Sequence, residues 1–251
     1  MFSYSQDQQT FLVNSNLKRL EHQGNSHRSQ ERLIQSLFLL PNYWKLVPCI
    51  DKRPLGRKWQ DNYYSPQGLF RSLSQEGQVW VRGKHGLYSV VPNGYSLLCG
   101  HQLSNRCLDA RSLASCAERG LRPSVPKGLC PDRGCGSHRY LVAIDCDSYE
   151  ALNQFEQMRF PTTVSYDSGL PGHRQYLYYV DRPIKSFKLT NGLEVRGQNL
   201  LSTLPPSVHP ITGRYRWLIA PDRFEIPTIS SLWLNQLRPQ RPQPKTEAVK
   251  S

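Results

Sequence analysis

Two acids close an otherwise apolar run in "YLVAIDCDSYEA", Tyr140 to Ala151. A carboxylate at the end of a buried strand must be paired or neutralised, because an isolated charge out of water is costly. Side chains alternate along a strand, so Asp145 and Asp147 share a face with Leu141 and Ala143, while Val142, Ile144 and Cys146 point to the other. Two like charges this close repel unless a cation lies between them. Hard carboxylate oxygens favour Mg2+ or Mn2+, and in open sheets ligands gather at strand ends. The competing reading is an acidic turn that caps the next helix, whose dipole favours negative charge at its start.

Further polar residues fall on neighbouring strand-like segments. In "PTTVSYDSGLPGHRQYLYYV" a Ser168-Gly169 turn and a Pro-Gly precede an aromatic strand with His173 and Gln175 on one face and Arg174 on the other. "LEVRGQ" sets Glu194 and Arg196 on a common face opposite Val195. Three acids on two strands, a Gly-containing turn and clustered basic groups meet the needs of metal-assisted phosphoryl transfer, in which the metals neutralise the phosphates and orient in-line attack. Arg196 reads equally as a phosphate ligand and as a salt-bridge partner of Glu194.

The elements that must position these residues follow from the pattern. The first 28 residues are polar, rich in Gln, Asn and Ser, and are expected to be mobile. "SQERLIQSLFLLP" predicts a short amphipathic helix with Leu33, Leu37 and Leu40 at helical spacing, stopped by Pro41. "WKLVPC" predicts a strand, and a basic turn with Lys52, Arg53, Arg57 and Lys58 follows. Residues 68–98 read as short strands joined by tight turns. After the acidic strand, "SYEALNQFEQMRF" predicts a helix with Ser148 as N-cap and Ala151, Leu152 and Phe155 on one face. Strands are expected at His173–Val180 and 193–197, an extended proline-interrupted region at 199–218, a short helix in "PTISSLWLNQL", and a basic, Pro-rich tail at 238–251 that does not fold alone. These assignments give an α+β protein with one principal domain over residues 29–237.

The whole chain has 251 residues, with 32 Lys+Arg against 19 Asp+Glu, a formal net charge of +13. That balance suits a polyanionic partner, nucleic acid before an anionic membrane surface. No apolar run approaches the ~20 residues that span a bilayer, and the first residues lack the pattern of a secretory signal. A cytoplasmic location is expected, with the seven cysteines as thiols or metal ligands rather than disulfides.

Residues 101–139 change character to loops dense in Cys, Arg and Gly and read as an insertion. Cys130 and Cys135 have tolerable zinc spacing, whereas Cys107 and Cys116 do not resemble a knuckle. A structural zinc on these four and a loop with free thiols are the two expectations, and the basic content of the insertion suits a template strand.

The order of motifs resembles the bifunctional DNA primase/polymerase domain of the archaeo-eukaryotic primase superfamily. The resemblance rests on Asp145-Cys146-Asp147, the Ser168-Gly169 to Gln175 segment, Glu194 in "LEVRG", "LPPSVHPITGRYRW" at 204–217, and upstream "NYWKLVPCIDKRPLGRKW". More narrowly, the chain is similar to primase-polymerase-like proteins of cyanobacteria and plasmids. The resemblance implies an RRM-like catalytic sheet beside a smaller α/β part. It implies that Asp145, Asp147 and Glu194 hold two divalent ions, Mg2+ or Mn2+, at a primer end and an incoming NTP or dNTP. It implies that the Ser168-Gly169 turn leads to a histidine contacting the phosphates; Gln175 stands at that position and His173 two residues earlier, so the role falls to a shifted His173 or to Gln175 and Arg174. Lys52 and Arg53 would touch template or nucleotide, His209 is expected to be structural, and a helicase would come from a separate chain. Two functions follow: a template-directed nucleotidyltransferase acting on single-stranded DNA, or a catalytically weakened nucleic-acid-binding replication protein.

Overall fold

Strand formation follows the apolar runs. In the computed structural model of the protein, described over residues 28–103, 139–189 and 192–238, the fold is mixed α/β, rich in sheet and with few helices. It divides into two units, one made of residues up to Leu98 with Thr203–Arg223, the other of Cys99–Ser202 with the residues from Phe224 onward. The expected N-terminal segment up to residue 27, nearly all of the Cys-rich insertion including Cys107, Cys116, Cys130 and Cys135, and the tail from residue 239 lie outside the described residues.

The first unit contains helical residues 28–36 (α1), β1 (Leu46–Ile50), β2 (Arg53–Pro54), α2 (Pro66–Glu76), β3 (Val79–Arg82), β4 (Leu87–Val90) and β5 (Gly94–Leu98). The apolar spacing of α1 and the 3-10 turn Leu37–Leu39 buries Leu33, Leu37 and Leu40 while Phe38 stays outside. β1 is buried almost throughout and pairs antiparallel with β5 on one side and β2 on the other. Tyr95 on β5 ties this interior together: its hydroxyl lies 2.8 Å from Ser36 Oγ and 2.9 Å from the Pro205 carbonyl. The strand-only reading of 68–98 is corrected at its start, where α2 forms. Ser65 accepts a hydrogen bond from the Gly68 N–H, Pro66 opens the first turn, and Gly77, left-handed at φ 69°, ends the helix. Ser before Pro and Gly just past the end is the sequence signal for that helix.

The second unit is built on one sheet. Its elements are β6 (Gln102–Leu103), β7 (Arg139–Asp147), α3 (Tyr149–Gln157), β8 (Ser165–Asp167), β9 (His173–Val180), β10 (Phe187–Lys188), β11 (Leu193–Arg196) and α4 (Ser231–Gln236). The spatial order is β10, β11, β7, β9, β8, each neighbour antiparallel to the next. β7 and β8, joined through α3, therefore run parallel with β9 between them, a split β-α-β arrangement. β6 pairs with the start of β7, and the short strand Thr228–Ile229 runs parallel beside β9. Val142, Ile144 and Cys146 pack with Ala151 and Phe155 of α3, Tyr178, Leu193, Val195 and Leu234 in one apolar cluster. Burial of each Val, Leu, Ile or Phe among them is worth ~1.5–3 kcal/mol. Ser148 caps α3 as expected, its Oγ accepting from the Ala151 N–H at 3.0 Å. The alternation that sends Ile144 and Cys146 to the α3 side sends Asp145 and its neighbours to the other.

Candidate active site

A single row of side chains crosses five strands. Lys188 on β10 stands opposite Glu194 on β11, Glu194 opposite Asp145 on β7, Asp145 opposite Gln175 on β9, and Gln175 opposite Tyr166 on β8. Residues directly opposite in an antiparallel pair point to the same side, so the two acids face one another as neighbours. Asp145 is 1% exposed.

Arg196 completes this row from two residues along β11, where its register partner is Ala143. Its Nη2 forms an ion pair with Asp145 Oδ2, its Nε donates to Glu194 Oε2 at 2.9 Å, and its Nη1 donates to the Leu201 carbonyl at 3.1 Å. Lys188 Nζ reaches Glu194 Oε1 at 3.8 Å from an exposed position. Burial works against the guanidinium charge, but Asp145 and then Glu194 offset it and hold Arg196 above the ordinary arginine value. The carboxylates are thus balanced by the protein's own cations, as buried charge requires.

On the other side of Asp145 the row is neutral. Tyr166 Oη donates to Gln175 Oε1 at 2.7 Å, Ser202 Oγ also bonds that oxygen, and the two hydroxyls lie 2.8 Å apart. Burial pushes the Tyr166 hydroxyl well above the ordinary tyrosine value, so it stays a donor. Asp147 lies two residues farther along β7, exposed, opposite His173, with His173 Nδ1 and Asp147 Oδ1 3.3 Å apart.

Of the residues expected from sequence, Asp145, Glu194, Arg196 and Gln175 come together. Asp147 and His173 form an adjacent pair. Ser168 is buried just beyond β8, and the Gly169 N–H donates to Asp167 Oδ1 at 2.9 Å. Arg174 is not brought to the acidic face: it stands opposite Cys146 and Asp167, and its Nη1 donates to Tyr176 Oη at 3.3 Å. Lys52 and Arg53 belong to the first unit, where both are exposed and Lys52 Nζ lies 5.7 Å from the Tyr215 ring centre. His209, also there, is buried and its Nδ1 accepts from the Ile211 and Thr212 N–H groups, a structural use. Lys188, Tyr166 and Ser202 were not singled out from sequence. The alternation in "TVSYDSG" carries a signal for Tyr166; nothing local marks the other two.

Residues 133–233 match the N-terminal family of bifunctional DNA primase/polymerases. The matched segment contains β7, α3, β8, β9, β10 and β11, and with them both carboxylates of the row. The resemblance drawn from the motif order holds over that segment. No curated protein and no solved structure matches the chain. Among the described residues no helix is long and apolar enough to cross a membrane.

Prim-pol proteins imply divalent metal ions. The donor chemistry fits: Asp145 and Glu194 offer hard carboxylate oxygens on one face, and the guanidinium bridging them marks a position where the fold stabilises positive charge. The set is a pair rather than a triad in this conformation, since no three His, Cys, Asp or Glu among the described residues are grouped to hold an ion. The three described cysteines, Cys49, Cys99 and Cys146, are buried and in no disulfide.

Proposed function

We propose that the chain is a template-directed nucleotidyltransferase of the DNA primase/polymerase type, making or extending primers on single-stranded DNA from NTPs or dNTPs in plasmid or mobile-element replication, with any helicase on a separate chain. The observation that carries this reading is the direct opposition of Glu194 and Asp145 on one sheet face within the prim-pol segment. The split β-α-β order supports an RRM-like catalytic sheet, with residues 29–237 as the working domain.

In this reading Asp145 and Glu194, with Asp147 at the rim, would hold Mg2+ or Mn2+, which supplies charge neutralisation of the triphosphate and acidification of the primer 3′-hydroxyl. Arg196 and Lys188, which pair with the two acids, would turn to the triphosphate once a metal ion takes their place, and His173 beside Asp147 would be the imidazole at that end of β7. Gln175 positions rather than reacts, its amide oxygen being held by Tyr166 and Ser202.

That hold on Gln175 favours the second reading, a nucleic-acid-binding replication protein with weakened catalysis, because a neutral amide grips phosphate less strongly than a cation. The test is incorporation of labelled nucleotides on a single-stranded template. Metal-dependent product, abolished by Asp145→Ala, is expected. Strand binding without synthesis by the wild-type protein under any metal or nucleotide selects the second reading.

A further inference from the structure

The first unit carries a surface that none of the chemistry above uses. β3 and β4 form an isolated antiparallel hairpin, with Trp80 opposite Ser89, Val81 opposite Tyr88 and Arg82 opposite Leu87. Val79 and Val81 are buried, so the inner side of β3 is committed to packing, while Trp80, Arg82 and Leu87 face outward. Trp80 is 47% and Leu87 67% exposed. The indole is nonetheless held in place: its Nε1 donates to Glu76 Oε2 at 2.8 Å, and Trp80's main chain exchanges hydrogen bonds with the Tyr64 hydroxyl.

Positive charge is built around this ring. Exposed Arg82 shares its face, and exposed Lys84 lies in the turn that follows. The basic loop with exposed Arg57 and Lys58 is docked on the same strand through the Arg57 N–H, which donates to the Arg82 carbonyl at 2.6 Å. Gly56 makes that approach feasible, since a Cβ there would meet Arg82 O at 3.0 Å and its φ is +82°. No Asp or Glu occurs from Gly77 to Leu108; the Glu76 carboxylate accepts from the indole, and exposed Arg57, Lys58, Arg82 and Lys84 outnumber it and Asp61. A fixed, half-exposed aromatic ring on a strand flanked by exposed cations is the arrangement that binds unpaired bases by stacking and their phosphates by charge. A neutral or apolar protein surface would leave this excess of cations without counter-charges, and duplex bases present no free face to a ring.

We propose that the β3–β4 hairpin with the Arg57–Lys58 loop is a docking surface for single-stranded nucleic acid, with Trp80 as the base-stacking platform. The proposal deepens the function proposed above by naming where a template strand is gripped. Binding of a fluorescent oligo-dT strand to the full chain, followed by anisotropy, tests it. Trp80→Ala is expected to weaken binding about tenfold and Trp80→Phe to keep most of it. Arg82→Gln and Lys84→Gln should each lower the slope of log K against log salt by about 0.7. Thermal unfolding verifies that each variant folds, and Lys84→Gln, fully on the surface, keeps the test open should Trp80→Ala not fold.

Unchanged oligo-dT affinity in folded Trp80→Ala and Lys84→Gln, or duplex bound as tightly as single strand, overturns the proposal. So does a concentration-dependent self-association that Trp80→Ala removes while strand binding persists, since the surface would then serve a second copy. Trp80-dependent strand binding in a protein that incorporates no nucleotide leaves this inference standing and removes the nucleotidyltransferase reading instead.

Discussion

The guanidinium of Arg196 crosses diagonally from β11 to the carboxylate of Asp145 on β7 while holding Glu194 on its own strand. One cation thereby serves two acids whose backbones are paired in register. Removing one partner of a buried ion pair leaves uncompensated charge. Arg196→Ala is expected to cost about 3 kcal/mol in urea unfolding, and Mn2+ should raise its melting temperature more than that of the wild type. An equally stable variant, or one indifferent to Mn2+, contradicts the counter-ion role.

Tyr166→Phe removes one of the two hydroxyls on Gln175 Oε1 and leaves Ser202 as its donor. A loss of about 1–2 kcal/mol is expected from the weakened buried network, read as a lower urea midpoint with an unchanged m-value. Stability at the wild-type level would mean that the triad of side chains is not cooperative.

Burial pushes the thiols of Cys49, Cys99 and Cys146 up to about 12 and raises the hydroxyls of Tyr95, Tyr166 and Tyr178. The folded chain then keeps protons that the unfolded chain releases, so stability is full below the ordinary thiol pKa and falls as pH rises from there toward about 12. Each thiol contributes a slope of up to about 1.4 kcal/mol per pH unit. Urea midpoints taken across the alkaline range should fall, and replacing the three cysteines with alanine should flatten the decline.

Ser148→Ala takes away the acceptor for the Ala151 N–H at the start of α3. A cost of about 1 kcal/mol is expected, visible by chemical denaturation, with Ser148→Asn close to wild type. A loss of nucleotide incorporation larger than the stability change would show that the cap also sets the position of Asp147.

Legibility in the sequence followed periodicity. β9 covers His173–Val180 as expected, and β11 ends one residue before the expected 197, because alternating or continuous apolar residues leave the backbone one economical arrangement. The Asp145–Glu194 juxtaposition needed more than that: facing could be read, but the register that sets them opposite depends on how β11 docks beside β7, which no local pattern encodes. α2 escaped because its apolar residues are sparse, although Ser65, Pro66 and Gly77 marked both ends. Arg196 was legible as a partner for Glu194, whereas its diagonal contact with Asp145 is a tertiary fact. Lys188 and Ser202 sit in segments too short or too plain to announce themselves.

The chain leaves one unit at Leu98, returns at Thr203 and departs again after Arg223. Residues 133–233, chosen by homology for recombinant expression, would therefore begin downstream of β6, the strand paired to the start of β7. They would also carry 203–223 away from the strands that satisfy it, including Tyr95, whose carbonyl bonds the Leu204 N–H. A fragment trimmed to the matched boundaries inherits the acids but not the scaffold, and useful truncations of this protein have to respect its interleaved path.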